Sequence, residues 1–191
     1  MAQKDKVKWD KKYEQTPTLL EQRDPSKKLV EVLAHVQGNN ALDVACGSGK
    51  HAIYLAKNSF NVEAMDISSV ALKVLDKKGF TNISTKLADL EGFTPAQNSY
   101  DLIVKTNYLD RVLIPKLANA LRIGGVLFIE TYMNHESNEK PNSNPNYLLA
   151  KEELKTFFDN HFEILLYEEF DNESYEIYRM KKQAIAVKRS H

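Results

Sequence analysis

Residues 41–49 read Ala-Leu-Asp-Val-Ala-Cys-Gly-Ser-Gly, and this stretch restricts the fold more than any other. Residues 41–45 make a short, mostly apolar strand. The glycines at 47 and 49 let the chain turn, and let a ligand approach the backbone, with no Cβ in the way. A helix opens at Ser48 and runs to about residue 58, with Ile53, Leu55 and Ala56 inside. A strand that turns through glycine into a helix is the first half of a βαβ unit. It points helix N-terminal amides at whatever lies above the turn.

The alternation continues. Residues 61–65 form a second strand ending at Asp66, and Ser68 caps a helix that runs to residue 78, before Gly79. A third strand, 83–88, ends at Asp89, and a fourth covers 100–106. A helix over 110–121 leads through Arg122 and a Gly124-Gly125 turn into a fifth strand, 126–130. This spacing implies a parallel sheet with helices on both faces. The strands are short and nearly all apolar, as doubly covered strands should be.

Both ends depart from the pattern. Residues 5–14 read as a polar helix carrying Trp9 and Tyr13, broken at Thr16-Pro17. Asp24 and Pro25 read as the N-cap and first residue of a helix over 25–37, which Gly38 ends. After Thr131 comes a polar loop, 132–150, long enough to be functional. A helix over 151–159 follows. Two runs, 162–170 and 175–187, separated by Asp171-Asn172-Glu173-Ser174, then read as a β-hairpin. The expected fold is α/β: a doubly wound, mostly parallel, seven-stranded Rossmann-like sheet with an antiparallel edge strand near the C-terminus. With 191 residues it reads as one domain, 1–191. Residues 1–24 serve as lid helix and linker, and 132–150 as the substrate-side loop.

Charge excludes some partners. Lys+Arg and Asp+Glu balance at 26 each, so no global basic footprint calls for nucleic acid or a membrane surface. No apolar run approaches the roughly 20 residues of a bilayer span, and the lysine-rich first residues are not a secretory leader. The single cysteine, Cys46, rules out an internal disulfide and fits a cytoplasmic setting. It has no visible base beside it and reads as a small packing residue. No metal-ligand spacing is present. Oligomeric state has no signal here.

Two cofactors compete for the glycine loop. Gly47-Ser48-Gly49-Lys50-His51-Ala52 also fits the dinucleotide fingerprint Gly-x-Gly-x-x-Ala. Asp66, 19 positions after Gly47, stands where an acid binds ribose hydroxyls, and Asp89 holds the equivalent place one strand further out. A pyrophosphate would be repelled by Asp43. S-adenosylmethionine carries an ammonium and a sulfonium, which a carboxylate favours. Charge therefore tips the balance to the sulfonium cofactor.

The chain from about Trp9 to Glu169 resembles the class I S-adenosylmethionine-dependent methyltransferases, and among them the small bacterial tellurite-resistance type. The resemblance rests on Trp9-Asp10-Lys11-Lys12-Tyr13, Leu42 through Gly49, Met65-Asp66-Ile67-Ser68 and Tyr100-Asp101-Leu102-Ile103. It continues with Asn107-Tyr108-Leu109, Leu121 through Leu127, and Asn144-Pro145-Asn146-Tyr147-Leu148-Leu149. It implies that Asp43, Ala45, Gly47 and Gly49 line the methionine moiety. Asp66 takes the ribose, Ile67 the adenine face, and Asp89 and Leu90 the adenine edge. Thr106 and Asn107 approach the amino group, and Trp9 and Tyr13 close the top. Two departures stand out. Ala45 replaces the first glycine of the usual Gly-x-Gly-x-Gly, and Lys50-His51 stands where many relatives carry Arg-Asn.

Methyl transfer needs alignment and exclusion of water, and a base only if the nucleophile arrives protonated. Tyr108, following the fourth strand, is expected to face the transferred methyl. Arg111 could orient an anionic substrate, and His135 is the loop residue that could act as a base. Lys50 and His51 could also point at substrate. Asp110 reads as a helix cap. The expected function is methyl transfer to a small-molecule acceptor. The alternatives are a nicotinamide-dependent oxidoreductase on a related fold, for which no Tyr-x-x-x-Lys follows the fourth strand, and a non-catalytic S-adenosylmethionine-binding module.

Overall fold

The computed structural model describes residues 2–141 and 143–191. Its strands are β1 (Asn40–Val44), β2 (Asn61–Asp66), β3 (Ile83–Leu87), β4 (Tyr100–Thr106), β5 (Leu121–Tyr132), β6 (Phe162–Asp171) and β7 (Lys181–Arg189). They form one sheet in the order β3-β2-β1-β4-β5-β7-β6. The first five are all parallel, while β7 runs antiparallel to both β5 and β6. The antiparallel edge is thus the β7–β6 pair, with β7 inserted inside it. Strand order reverses at β1 and β4, so a crevice opens above their carboxyl ends.

Alternation along the strands sends successive side chains to opposite faces. Ala41, Val62, Leu102, Val104, Phe128 and Ala186 meet Leu29 and Val32 of α2 (Lys27–Val32) and Ala52 and Leu55 of α3 (Lys50–Lys57). Leu42, Val44, Ile103, Leu127, Ile129 and Ile185 meet Leu113, Ile114 and Leu117 of α5 (Leu113–Ala120). Two further helices, α1 (Ala2–Gln15) and α4 (Ser69–Asp76), pack on each other at the β2 side. Among the described residues, no helix is long and apolar enough to cross a membrane.

Four local expectations are corrected. The second helix starts at Lys27, because Ser26, not Asp24, is its N-cap, and the Ser26 hydroxyl is drawn away to a buried carboxylate oxygen of Glu130 at 2.6 Å. The Gly124-Gly125 turn is absorbed into β5 as a bulge, where pairing slips from Tyr100–Leu121 to Leu102–Val126. A Cβ on Gly125 would lie 2.9 Å from the carbonyl oxygens of Tyr100 and Arg122. The helix expected over 151–159 is only a 3-10 turn, Glu153–Phe157, entered through Glu152 at φ +58°. The hairpin loop is longer than expected, because Asn172 and Met180 close it, the backbone N–H of Asn172 reaching the Met180 carbonyl at 2.8 Å.

Candidate functional site

Asp43 projects from β1 toward α3 and is 1% exposed. One carboxylate oxygen accepts the Ala52 backbone N–H at 3.0 Å. The other, Oδ1, has no partner, and it is the one such buried side-chain polar atom among the described residues. Burial raises the Asp43 pKa to about 7; the Ala52 bond opposes this, Asp66 adds to it and Lys50 opposes it. A buried carboxylate oxygen without a donor is costly, so this corner of the crevice is suited to a cation.

The loop beyond β1 takes an unusual path. Ala45 (φ +56°), Gly47 (φ +56°) and Gly49 (φ +83°) all adopt left-handed backbone. Gly49, not Ser48, is the N-cap of α3. A Cβ there would fall 2.5 Å from the Leu75 side chain, so glycine lets α4 press against the loop.

Asp66, at the end of β2, is 6% exposed. Its two oxygens accept the Gly47 and Ser68 backbone N–H groups, each at 2.8 Å. The carboxylate ties the glycine loop to the exit of β2, and each oxygen keeps a second lone pair. Burial raises its pKa against the pull of those bonds.

The first helix covers this corner. Asp10 accepts the Ser68 hydroxyl at 2.6 Å and the Val70 N–H at 3.3 Å, and pairs with Lys6. Burial pushes the Asp10 pKa up, but the bonds from Lys6, Ser68 and Val70 together hold it at about 2. So fastened, α1 stacks Trp9 on Tyr13 (centroids 5.7 Å apart) and sets the Tyr13 hydroxyl against Gly47. Burial, with Asp66 nearby, pushes the Tyr13 hydroxyl pKa up. Ile67 and Asp89, with Gln3, Lys6, Leu87 and Ala88, line an adjoining cavity of about 110 Å³. Asp89 is exposed and accepts the Glu91 N–H, whereas Leu90 is buried in the α5-side core.

The exit of β4 forms the opposite rim. Thr106 is half-buried; Asn107 is exposed at φ +56°, its N–H donating to the Glu130 carbonyl at 2.8 Å. Tyr108 is half-buried, and burial, then Asp110 and Asp89, push its hydroxyl pKa up to about 12. Behind Thr106 lies His51, whose Nε2 accepts the Ser26 N–H at 3.3 Å while Nδ1 faces the Thr106 hydroxyl at 3.5 Å. Burial, then Lys50, drives the His51 pKa well down, so it is neutral. Asp110, expected as the cap, lies in the turn before α5, whose N-cap is Val112; it accepts the Val112 and Leu113 N–H groups there.

Two residues expected at the substrate have other work. Arg111 donates to both oxygens of Glu153 (2.5 and 3.0 Å) and to the Asn146 and Leu148 carbonyls. It staples the end of the 132–150 loop to the start of α5. His135 is exposed and turns Nδ1 back onto Ser137. Conversely, sequence reasoning missed a buried polar cluster. Glu130 accepts from Ser26 and from Lys182 (3.2 Å), Lys182 also faces Glu176 at 3.6 Å, and Tyr132 donates to Glu176. Its one signal was charge on inward strand positions, Glu130 and Lys182, within apolar runs. Among the described residues, no group of three or more His, Cys, Asp or Glu side chains could hold a metal ion.

A family model described as tellurite resistance protein TehB matches residues 1–188. The chain belongs to the TehB family. TehB of Haemophilus influenzae, described as a probable S-adenosyl-L-methionine-dependent methyltransferase, is 29% identical over 139 residues, covering 67% of this chain and 47% of that protein. A ubiquinone biosynthesis O-methyltransferase of Coxiella burnetii is 29% identical over 112 residues, covering 54% of this chain and 48% of its own length. The chain thus spans about half the length of the curated relatives it matches. The crystal structure of TehB from Haemophilus influenzae superposes with a TM-score of 0.73 at 23% identity, over 87% of this chain and 63% of that one. That likeness shows the fold, and its sheet is the doubly wound, mostly parallel one that the alternation of strands and helices predicted.

Proposed function

We propose that this chain binds S-adenosylmethionine and transfers its methyl group to a small-molecule acceptor in the cytoplasm. The observation that carries the reading is the unpartnered, buried Asp43 Oδ1 beside the glycine loop. An ionised Asp43 draws a cationic ligand into the crevice. A pyrophosphate has less to gain there, because the Gly47 amide is already given to Asp66 and both neighbouring groups are carboxylates. Membership of the TehB family supports the same choice.

When bound, the cofactor supplies a methyl carbon activated by positive sulfur. The protein supplies position. Asp66 is pre-set by two backbone donors to offer its remaining lone pairs to hydroxyls, and Ile67 gives an apolar face beside it. Asp43, with Ala45, Gly47 and Gly49, holds the cationic end, and Thr106 and Asn107 approach it from the other rim. Trp9 and Tyr13 exclude water from above. Tyr108 keeps its proton at neutral pH and so donates a hydrogen bond to an acceptor rather than taking a proton. Residues 1–24 act as the lid and 132–150 as the acceptor-side loop, held in place by Arg111.

Titration calorimetry with S-adenosylmethionine and S-adenosylhomocysteine tests this. Saturable binding of both is expected. No heat from either at millimolar concentration would falsify the reading.

A further inference from the structure

Lys105 is among the largest fully buried side chains of the described residues, and the chemistry above leaves it unused. It leaves β4 on the face that packs against α5, where its strand neighbours are Val44 and Ile129. A methionine or leucine would fill that space at no electrostatic cost. The ammonium instead donates to the Tyr108 carbonyl, three residues on, and lies 5.4 Å from the Tyr108 ring centroid. Burial draws its pKa down to about 7, with Asp110 pulling it up and Arg111 down. The bond reaches across one short turn.

That turn carries Thr106, Asn107 and Tyr108. It contains a left-handed non-glycine residue, Asn107. Its backbone is held at two points: the Asn107 N–H on the Glu130 carbonyl, and Lys105 on the Tyr108 carbonyl. Thr106 is also held by pairing with β5 and by His51, so without Lys105 the Asn107 bond is the one tie left to the turn beyond it among the described residues.

We propose that Lys105 is a positioning residue for the cofactor site, its ammonium clamping the Thr106–Tyr108 turn in the conformation that receives the ligand. The inference rests on the cofactor reading above. It assigns Lys105 no contact with ligand.

The test compares wild type, Lys105→Met and Leu117→Ala by calorimetry with S-adenosylhomocysteine and by thermal melting. Leu117→Ala is a buried control on α5 that lowers stability without removing a hydrogen bond of the turn. Lys105→Met is expected to weaken binding by about tenfold or more, the loss of one hydrogen bond to a charged group. Leu117→Ala should stay within about twofold of wild type although it melts earlier. Wild-type affinity in Lys105→Met overturns the proposal alone; absence of binding in wild type overturns it together with the cofactor reading. Should Lys105→Met not fold, the wild-type Lys105 side-chain nitrogen resonance serves instead. It should shift on ligand addition, and an unmoved resonance refutes the clamp.

Discussion

Asp10 accepts the Ser68 hydroxyl at 2.6 Å, so the first helix is fastened to the N-terminus of a helix 58 positions further along the chain. Ser68 itself caps that helix through the Ala71 N–H. One carboxylate therefore supports a cap and holds the helix that carries Trp9 and Tyr13. Asp10→Ala should cost about 1 kcal/mol of stability, the usual effect of a lost cap. It should also free α1 for early proteolysis. Limited proteolysis with denaturant melting checks both, and a variant as resistant as wild type excludes the latch.

Asp43 gives a pH signature. Its pKa in the folded protein is raised from 3.8 to about 7. Between those values the folded state binds a proton that the unfolded state has lost. Stability should therefore fall as pH rises from about 4 to about 7, and level off above. Binding of a cationic cofactor runs the other way, tightening as pH rises through about 7. Below that value binding should release a proton, measurable by calorimetry in buffers of different ionisation enthalpy. Asp43→Asn should flatten both profiles; an unchanged slope assigns it to another group.

Ala45 sits at φ +56°, where an L-residue is strained by about 1–2 kcal/mol. Ala45→Gly should relieve part of this and raise stability by up to about 1 kcal/mol. Ala45→Val should do the reverse. Equal melting of all three would mean the loop relaxes freely.

Arg111 and Glu153 should behave as one unit. Arg111→Met and Glu153→Met are each expected to speed proteolysis within 132–150, and the double variant should be little worse than either. Additive effects would point to separate roles, including the substrate contact first expected of Arg111.

The sheet and the glycine loop were legible because their signals are local. Alternating strands and helices, Asp43 before the glycines, and the acids at the end of β2 and just beyond β3 can all be read within a few residues. What escaped was set by distance. Asp24-Pro25 is a sound helix start, yet Ser26 takes the cap position and gives its hydroxyl to Glu130, 104 positions away. Nothing near Arg111 announces Glu153, 42 positions on, and nothing near Lys182 announces Glu130, 52 positions back. Lys105 reads as an ordinary charge in β4 until the packing of α5 buries it.

The position of β7 has a consequence for synthesis. It lies between β5 and β6 but follows both in the chain. Of the seven strands β7 is made last, so β6 has no strand to pair against until the chain beyond residue 181 is available. The parallel strands β1 to β5 can assemble as they emerge, but the antiparallel edge must wait for β7 to thread into place. A chain truncated before residue 181 should therefore leave β5 open and β6 unpaired, the state most prone to aggregate.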